Sequence, residues 1–355
     1  MSSASRFAAS LSLLALAGGG CLSLGGSSAD VSDGGLWVSD DGGSGWTQFA
    51  ALPGQFSVGS ISAVDILAIE VDPQDDSAYY VGTSGDGLLY SYDAGATWQR
   101  PEEALARSGA ILDIEVDPRD VCTYYVLKTD RVMKTTTCGR TFMTEMYVES
   151  RADEDLTDFV IDWYNPNTLY MTTTAGDVIR STDGGESWAT IYRVNDELSG
   201  IMVSNTDSRI LLAGSRRHGI YRSTDAGANW TELEDTLKET YRQSDNFYDF
   251  AQTADGKTLY MSSEYGLLVS KDQGGTWSDV PLITARGEVD ILALAVDPAD
   301  GNTVMYGTDS TFYRSTSGGS AWTTEELPSS RQAAALRVHP ANSDLILLGL
   351  YQEED

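Results

Sequence analysis

Histidine is almost missing from this chain: His218 and His339 are the only two in 355 residues. They show no ligand spacing for a histidine-based zinc site, and no Ser/His/Asp arrangement gathers around either of them. Cysteine is nearly as scarce, with three residues, too few for a thiolate metal cage. Lysine occurs five times, and the whole chain sets 23 basic side chains against 53 acidic ones, for a net charge of −30. That balance excludes nucleic acid and anionic lipid as partners, since both require basic patches. Long apolar runs are also lacking. The one extended apolar stretch, Phe7 to Ala17, is too short to cross a bilayer. No acidic loop carries the twelve-residue calcium pattern with its terminal Glu, and no phosphate-binding glycine loop stands out. No cofactor and no metal are expected.

What the chain does contain is a repeat. The frame Ser/Thr-x-Asp-x-Gly-x-x-Trp appears as SDDGGSGW (Ser39–Trp46), SYDAGATW (Ser91–Trp98), STDGGESW (Ser181–Trp188), STDAGANW (Ser223–Trp230) and SKDQGGTW (Ser270–Trp277). TTTCGRTF (Thr135–Phe142) and STSGGSAW (Ser315–Trp322) are degenerate copies without the Asp, and the first has also lost its Trp. Seven copies at intervals of 42 to 52 residues mark one supersecondary unit repeated seven times, not seven active sites.

One period, Asp65 to Arg100, shows the content of the unit. ILAIEV is a β-branched apolar run closed by Asp72-Pro73, AYYVGT and LLYS are further strand candidates, and TWQR is a fourth. The motif falls between the third and fourth strands. Its Gly supplies positive φ, its Ser and Asp bond turn amides, and its Trp packs back over the turn. Asp41, Asp93, Asp183, Asp225 and Asp272, with Trp46, Trp98, Trp188, Trp230, Trp277 and Trp322, are therefore read as structural. First strands are expected at Ile66–Val71, Ile111–Val116, Phe159–Trp163, Ile201–Ser204, Phe247–Gln252, Ile291–Val296 and Ala334–Val338. Four strands per period repeated radially predict an all-β fold, a seven-bladed propeller of four-stranded antiparallel blades. The chain opens on a third strand with its motif (GGLWVSDDGG) and closes on a first and second strand (AAALRVHPANSDLILLGLY). The ring is thus expected to close by pairing both ends in one blade, which removes exposed sheet edges.

The repeat resembles the BNR or Asp-box repeat, over Gly34 to Tyr351. That repeat occurs in sialidases, in xyloglucanase-type glycoside hydrolases, in sortilin-type sorting receptors and in photosystem II stability and assembly factors. The chain is most similar to the last group, which are single seven-bladed propellers. The resemblance implies the fold, and the function is argued from the site. The Arg-Ile-Pro signature of sialidases is not found. Xyloglucanase-type enzymes set one Asp on each of two facing propellers, and this sequence encodes one.

Residues 1–20 read as a secretory signal, and Cys21, after three glycines, as a lipidation site followed by a flexible tether over 21–33. The expected location is the cell envelope, lipid-anchored at the outer face of a bacterial membrane, with the lipid as the sole membrane contact. The propeller occupies 34–352 and is expected to be a monomer. Cys122 and Cys138 fall in two loops on one face of one blade and predict a disulfide, which fits an oxidising compartment. On the opposite face, Arg216-Arg217-His218 is the sharpest basic feature of an acidic chain. It suits a carboxylate or an acidic peptide. The polar insertion 231–246 carries Leu233, Leu237 and Tyr241 at helical spacing and predicts a short helix beside that cluster, with Tyr241 and Tyr265 as further contact residues. Asp65, Asp158 and Asp290 are the candidate acids of a hydrolase. The sequence thus favours a non-catalytic scaffold for a protein or polysaccharide partner, with a glycoside hydrolase as the alternative.

Overall fold

Seven small sheets, each built by one period of the repeat, stand around a common centre. This is the arrangement in the computed structural model, which describes residues 33–54 and 57–353. Residues 1–20, Cys21 and nearly all of the 21–33 tether lie outside the described residues. Six of them have four antiparallel strands and one has three, and a separate two-stranded sheet pairs Ala51–Pro53 with Val58–Ser60. In the three-stranded sheet the outer position is held by a single bridge from Tyr90 to Gln99. Blades are numbered here by their inner strands in chain order: Ile66–Val71, Asp113–Val116, Leu156–Ile161, Leu198–Ser204, Phe247–Gln252, Ala293–Val296 and Gln332–His339. Six of these inner strands overlap the expected ranges closely. The third was expected at Phe159–Trp163 but runs from Leu156 to Ile161, because Asp162 turns the chain by accepting the amides of Tyr164 and Asn165. Trp163 is thereby moved into the turn.

The seventh blade contains both ends of the ring. Leu36–Ser39 pairs with Thr47–Phe49 on one side and with Asn342–Tyr351 on the other, and the latter pairs with Gln332–His339. Every inner strand contacts the inner strand of the next blade, and the seventh contacts the first, so the circuit is closed. A clasp reinforces the seam: Arg331 reaches both Asp33 and Asp65. Alternation within the strands explains the core. In Ile66–Val71 the side chains of Ile66, Ala68, Ile69 and Val71 are buried while Leu67 and Glu70 are partly exposed, the pattern of a strand packed on its flanks. Buried apolar residues collect into seven clusters, one for each blade-to-blade interface. No single blade encloses a core of its own.

The repeated turn is a staple between blades. In all seven copies the first hydroxyl accepts the amide of the fifth residue: Ser181 Oγ accepts Gly185 N at 2.9 Å, and Thr135 Oγ1 accepts Gly139 N at 3.1 Å. That fifth residue is Gly in every copy, with φ between 74° and 94°. The physical reason is contact as well as conformation. A Cβ at Gly185 would meet Met146 of the preceding blade at 2.6 Å, and one at Gly43 would meet Phe312 at 2.2 Å. The Trp side chains cross the same interface. Trp98 is fully buried and donates its indole N–H to Phe49 O at 2.9 Å, and Trp188 donates to Met146 O at 2.9 Å. The sulfurs of Cys122 and Cys138 lie at disulfide distance, with Cα atoms 4.1 Å apart.

Among the described residues one short helix interrupts the strands, Glu234–Thr240. It buries Leu237 against the fourth and fifth blades, as the spacing of Leu233, Leu237 and Tyr241 predicted. Among the described residues no helix is long and apolar enough to cross a membrane.

Candidate functional site

The Arg-Arg-His turn joins Asp207–Ser215 to Gly219–Ser223 in the fourth blade. Ser215 shapes it: its Oγ accepts the amides of Arg217 and His218, each at 3.2 Å, and donates to Asp196 at 2.5 Å. The three side chains then part company. His218 is held by the protein, with Nδ1 2.8 Å from Glu234 Oε2, and that bond raises its pKa above the ordinary histidine value. Glu234 is shared with Lys238, which also pairs with Asp245. Arg216 is exposed and lies over the ring of Tyr248, 6.0 Å from its centroid, in cation–π range. Arg217 is exposed and makes no side-chain hydrogen bond or ion pair with any described residue. The result is two guanidinium groups free to engage an external acid beside a histidine that is already engaged.

The aromatic candidates nearby have structural duties. Tyr241 donates to Trp277 O at 2.9 Å and ties the end of the helix to the fifth blade. Tyr265 donates to Asp279 at 3.1 Å, packs on Tyr241 with ring centroids 5.4 Å apart, and carries the Arg286 guanidinium 4.9 Å above its ring. His218, Glu232 and Glu234 place ligand atoms within 4.8 Å of one another, the one such group among the described residues. Its central carboxylate is already hydrogen-bonded to His218 and accepts from Lys238.

Asp65, Asp158 and Asp290 each have partners of their own, and no hydrogen bond links any two of them. Asp65 belongs to the ring clasp, accepting from Arg331 and from the amide of Gln352. Asp290 accepts the hydroxyl of Tyr248 at 2.9 Å. Asp158 accepts two backbone amides, Phe159 at 2.9 Å and Ile201 at 2.6 Å, and so bridges the third and fourth blades.

A feature not anticipated from the sequence occupies the centre of the ring. The inner strands enclose a channel of about 500 Å³. Glu70, Asp113, Glu115, Asp249 and Arg337 line it, and Asp158 adjoins it. Arg337 is paired with Glu70 at 2.6 Å. The other acids have no ion pair at contact distance, although the Arg337 charge also favours the ionised forms of Asp113 and Glu115. Asp113 and Asp249 each accept only the next backbone amide along their own strand, and Glu115 makes no hydrogen bond. Their carboxyls are driven toward the neutral form first by the surrounding protein and then by one another across the channel. Asp113 and Glu115 are raised well above the usual carboxylate range. Asp158 and Asp249 are raised to about 7. Asp249 is exposed to the channel, where solvent relieves part of that burden. The signal for this cluster was present in the strings ILDIEV and FYDFAQ, whose acids alternate with buried apolar residues, but alternation alone does not say that the acidic face meets other acids.

No family model matches the chain. In sequence, 159 residues are 28% identical to Xyloglucanase Xgh74A of Acetivibrio thermocellus, which covers 34% of this chain and 19% of that protein. The match thus spans less than a fifth of that curated relative. Among solved structures, the GH74 enzyme of Niastella koreensis superposes with a TM-score of 0.65 at 18% identity, over 81% of this chain and 51% of that one. YCF48 bound to D1 peptide superposes with a TM-score of 0.61 at 16% identity, over 81% of this chain and 94% of that one. At such identities the likeness concerns the fold, and on it the chain is a seven-bladed β-propeller of the kind found in GH74 xyloglucanases and in YCF48.

Proposed function

We propose that this protein is an exported, non-catalytic binding scaffold that holds a partner bearing carboxylate groups, a protein in the first instance, on the rim formed by the fourth and fifth blades. The observation that carries the reading is the freedom of Arg216 and Arg217 on a chain of net charge −30. Some exposed arginines of this chain are neutralised within it, as Arg209 is by Asp207 and Arg193 by Asp177, whereas Arg216 and Arg217 have no acidic partner among the described residues and are adjacent in sequence. Two adjacent guanidinium groups left unneutralised can give paired, bidentate bonds to an incoming carboxylate. The superposition with YCF48 bound to D1 peptide supports a peptide-like partner. Residues 1–20 are proposed as an export signal and Cys21 as a lipid anchor, and a disulfide between Cys122 and Cys138 is consistent with export.

The test is a crosslinking pull-down of the native protein from its own membrane fraction, beside Arg216→Glu/Arg217→Glu. A stoichiometric partner lost in the variant, with melting unchanged within about 0.5 kcal/mol as expected for surface substitutions, supports the proposal. A partner retained by the variant overturns the placement on the rim.

The match to Xgh74A supports a second reading, a glycan partner or hydrolysis. Release of reducing ends from xyloglucan, abolished by Asp158→Asn or Asp249→Asn, would replace the scaffold reading with the enzymatic one.

A further inference from the structure

The central channel holds room, an excess of carboxyls over cations and an apolar wall in one place. Its width comes from small residues at inward positions: Ala68, Ala251, Ala293, Ala295 and Ala335 all line it. Its charge comes from two tiers of carboxyls. Asp113 and Glu115 are two residues apart on the same face of one strand, roughly 6.6 Å by strand rise. Asp249 stands with Asp113 at the start of its strand, and Glu70 stands with Glu115. The one cation of the lining, Arg337, is ion-paired with Glu70 and acts on Glu115 and Asp113 through its charge alone. Glu115 lines the channel, is partly exposed to it and has no hydrogen-bond partner, so its carboxyl is open to a bound counter-charge. The mouth on the Asp-box face is framed by Pro73, Pro118, Pro298 and Pro340. In the third blade an indole stands there instead: Trp163, 49% exposed.

We propose that the channel binds a linear aliphatic polyamine, its ammonium groups on the two carboxyl tiers, its methylenes on the alanine wall and one end beneath the Trp163 indole. The spacing suits such a ligand. A four-carbon spacer between amines, about five bonds of roughly 1.5 Å in zigzag, spans nearly the distance between the tiers. A metal ion fits less well, since it needs several oxygens converging within about 2.0–2.6 Å of one point, whereas the tiers are a strand step apart. The indole face adds attraction for an ammonium group. Because the channel acids favour the protonated form when alone, an incoming polycation releases protons from them.

Titration of the full chain with spermidine at pH 7 and about 0.15 M salt, followed by calorimetry, tests this. One saturable site is expected, with a heat that differs between buffers of different ionisation enthalpy because protons are released. Glu115→Gln is expected to weaken binding at least tenfold; it removes an unpaired charge and should not impair folding. Ala251→Leu, which fills the channel without changing charge, is expected to abolish the site. Arg216→Glu/Arg217→Glu is expected to leave it unchanged, which separates this site from the rim. Absence of saturable binding overturns the proposal. So does binding of several equivalents that neither Glu115→Gln nor Ala251→Leu weakens, since that is attraction to the acidic surface alone.

Discussion

Asp183 in a repeated turn and Asp249 in the channel are the same residue in opposite circumstances. Asp183 is exposed, yet it accepts the Ser181 hydroxyl, the Ser187 amide and the Ser187 hydroxyl, and those bonds lower its pKa to about 2. Asp249 faces the inside of the ring, accepts one amide, and is raised to about 7 by the protein around it and by Asp113. The turn acids are built into the architecture one blade at a time. The channel acids are a consequence of bringing blades together, and the fold sets a single arginine against them. The second blade sharpens the contrast. There Thr137 Oγ1 accepts the amide of Thr141 at 3.0 Å, the bond that Asp183 makes to Ser187 at 2.9 Å. In the sixth blade Ser317 Oγ does the same for Ala321 at 3.0 Å. A turn needs an acceptor at that position, not a charge.

The largest effect is expected where the turn has lost both its Asp and its Trp. Replacing Cys122 and Cys138 by Ser should cost about 3 kcal/mol, the value for closing a loop of this length (sequence separation 16), and thermal melting with and without reductant measures it. Next comes the channel. An acid whose folded pKa lies above its unfolded value near 3.9 holds its proton more tightly when folded, so stability should rise as pH falls through about 7 and level off below about 4. Melting at pH 5 should therefore exceed melting at pH 8. Asp249→Asn should recover on the order of 1–2 kcal/mol of that difference at pH 8, after allowance for channel water. An unchanged pH slope in the variant would remove Asp249 from the account. Smaller again is Ser181→Ala, which leaves the Gly185 N–H buried without its acceptor and should cost about 1–2 kcal/mol in a denaturant titration. The smallest effect belongs to Asp183→Thr, which copies the second blade. Its melting temperature should fall by less than that of Ser181→Ala. The difference from the parent should disappear as pH drops toward 2, where the lowered carboxylate of Asp183 takes up its proton.

The repeat was legible because each staple is made within eight residues. Ser181, Asp183, Gly185 and Trp188 form their turn by local bonds, so their spacing in the chain records their geometry. The helix at Glu234–Thr240 was legible for the same reason, from Leu233, Leu237 and Tyr241. The end of the third inner strand was less so. Asp162 competes for the backbone as a turn former, which moved Trp163 out of the strand and to the channel mouth. Asp65 and Asp290 offered themselves as acids by position alone. Only the fold revealed that Arg331 and Tyr248 already hold them.

The amino-acid order by itself determined the number of blades, the strands within each, the turn chemistry and the closure of the ring, because all of these follow from a short pattern repeated along the chain. Tertiary structure decided what the centre of the ring is. Glu70 meets Arg337 across 267 positions of sequence, and Asp113, Glu115 and Asp249 come from two blades that are not neighbours. Their electrostatics depend on distances and on shared exclusion from water, which no local pattern encodes.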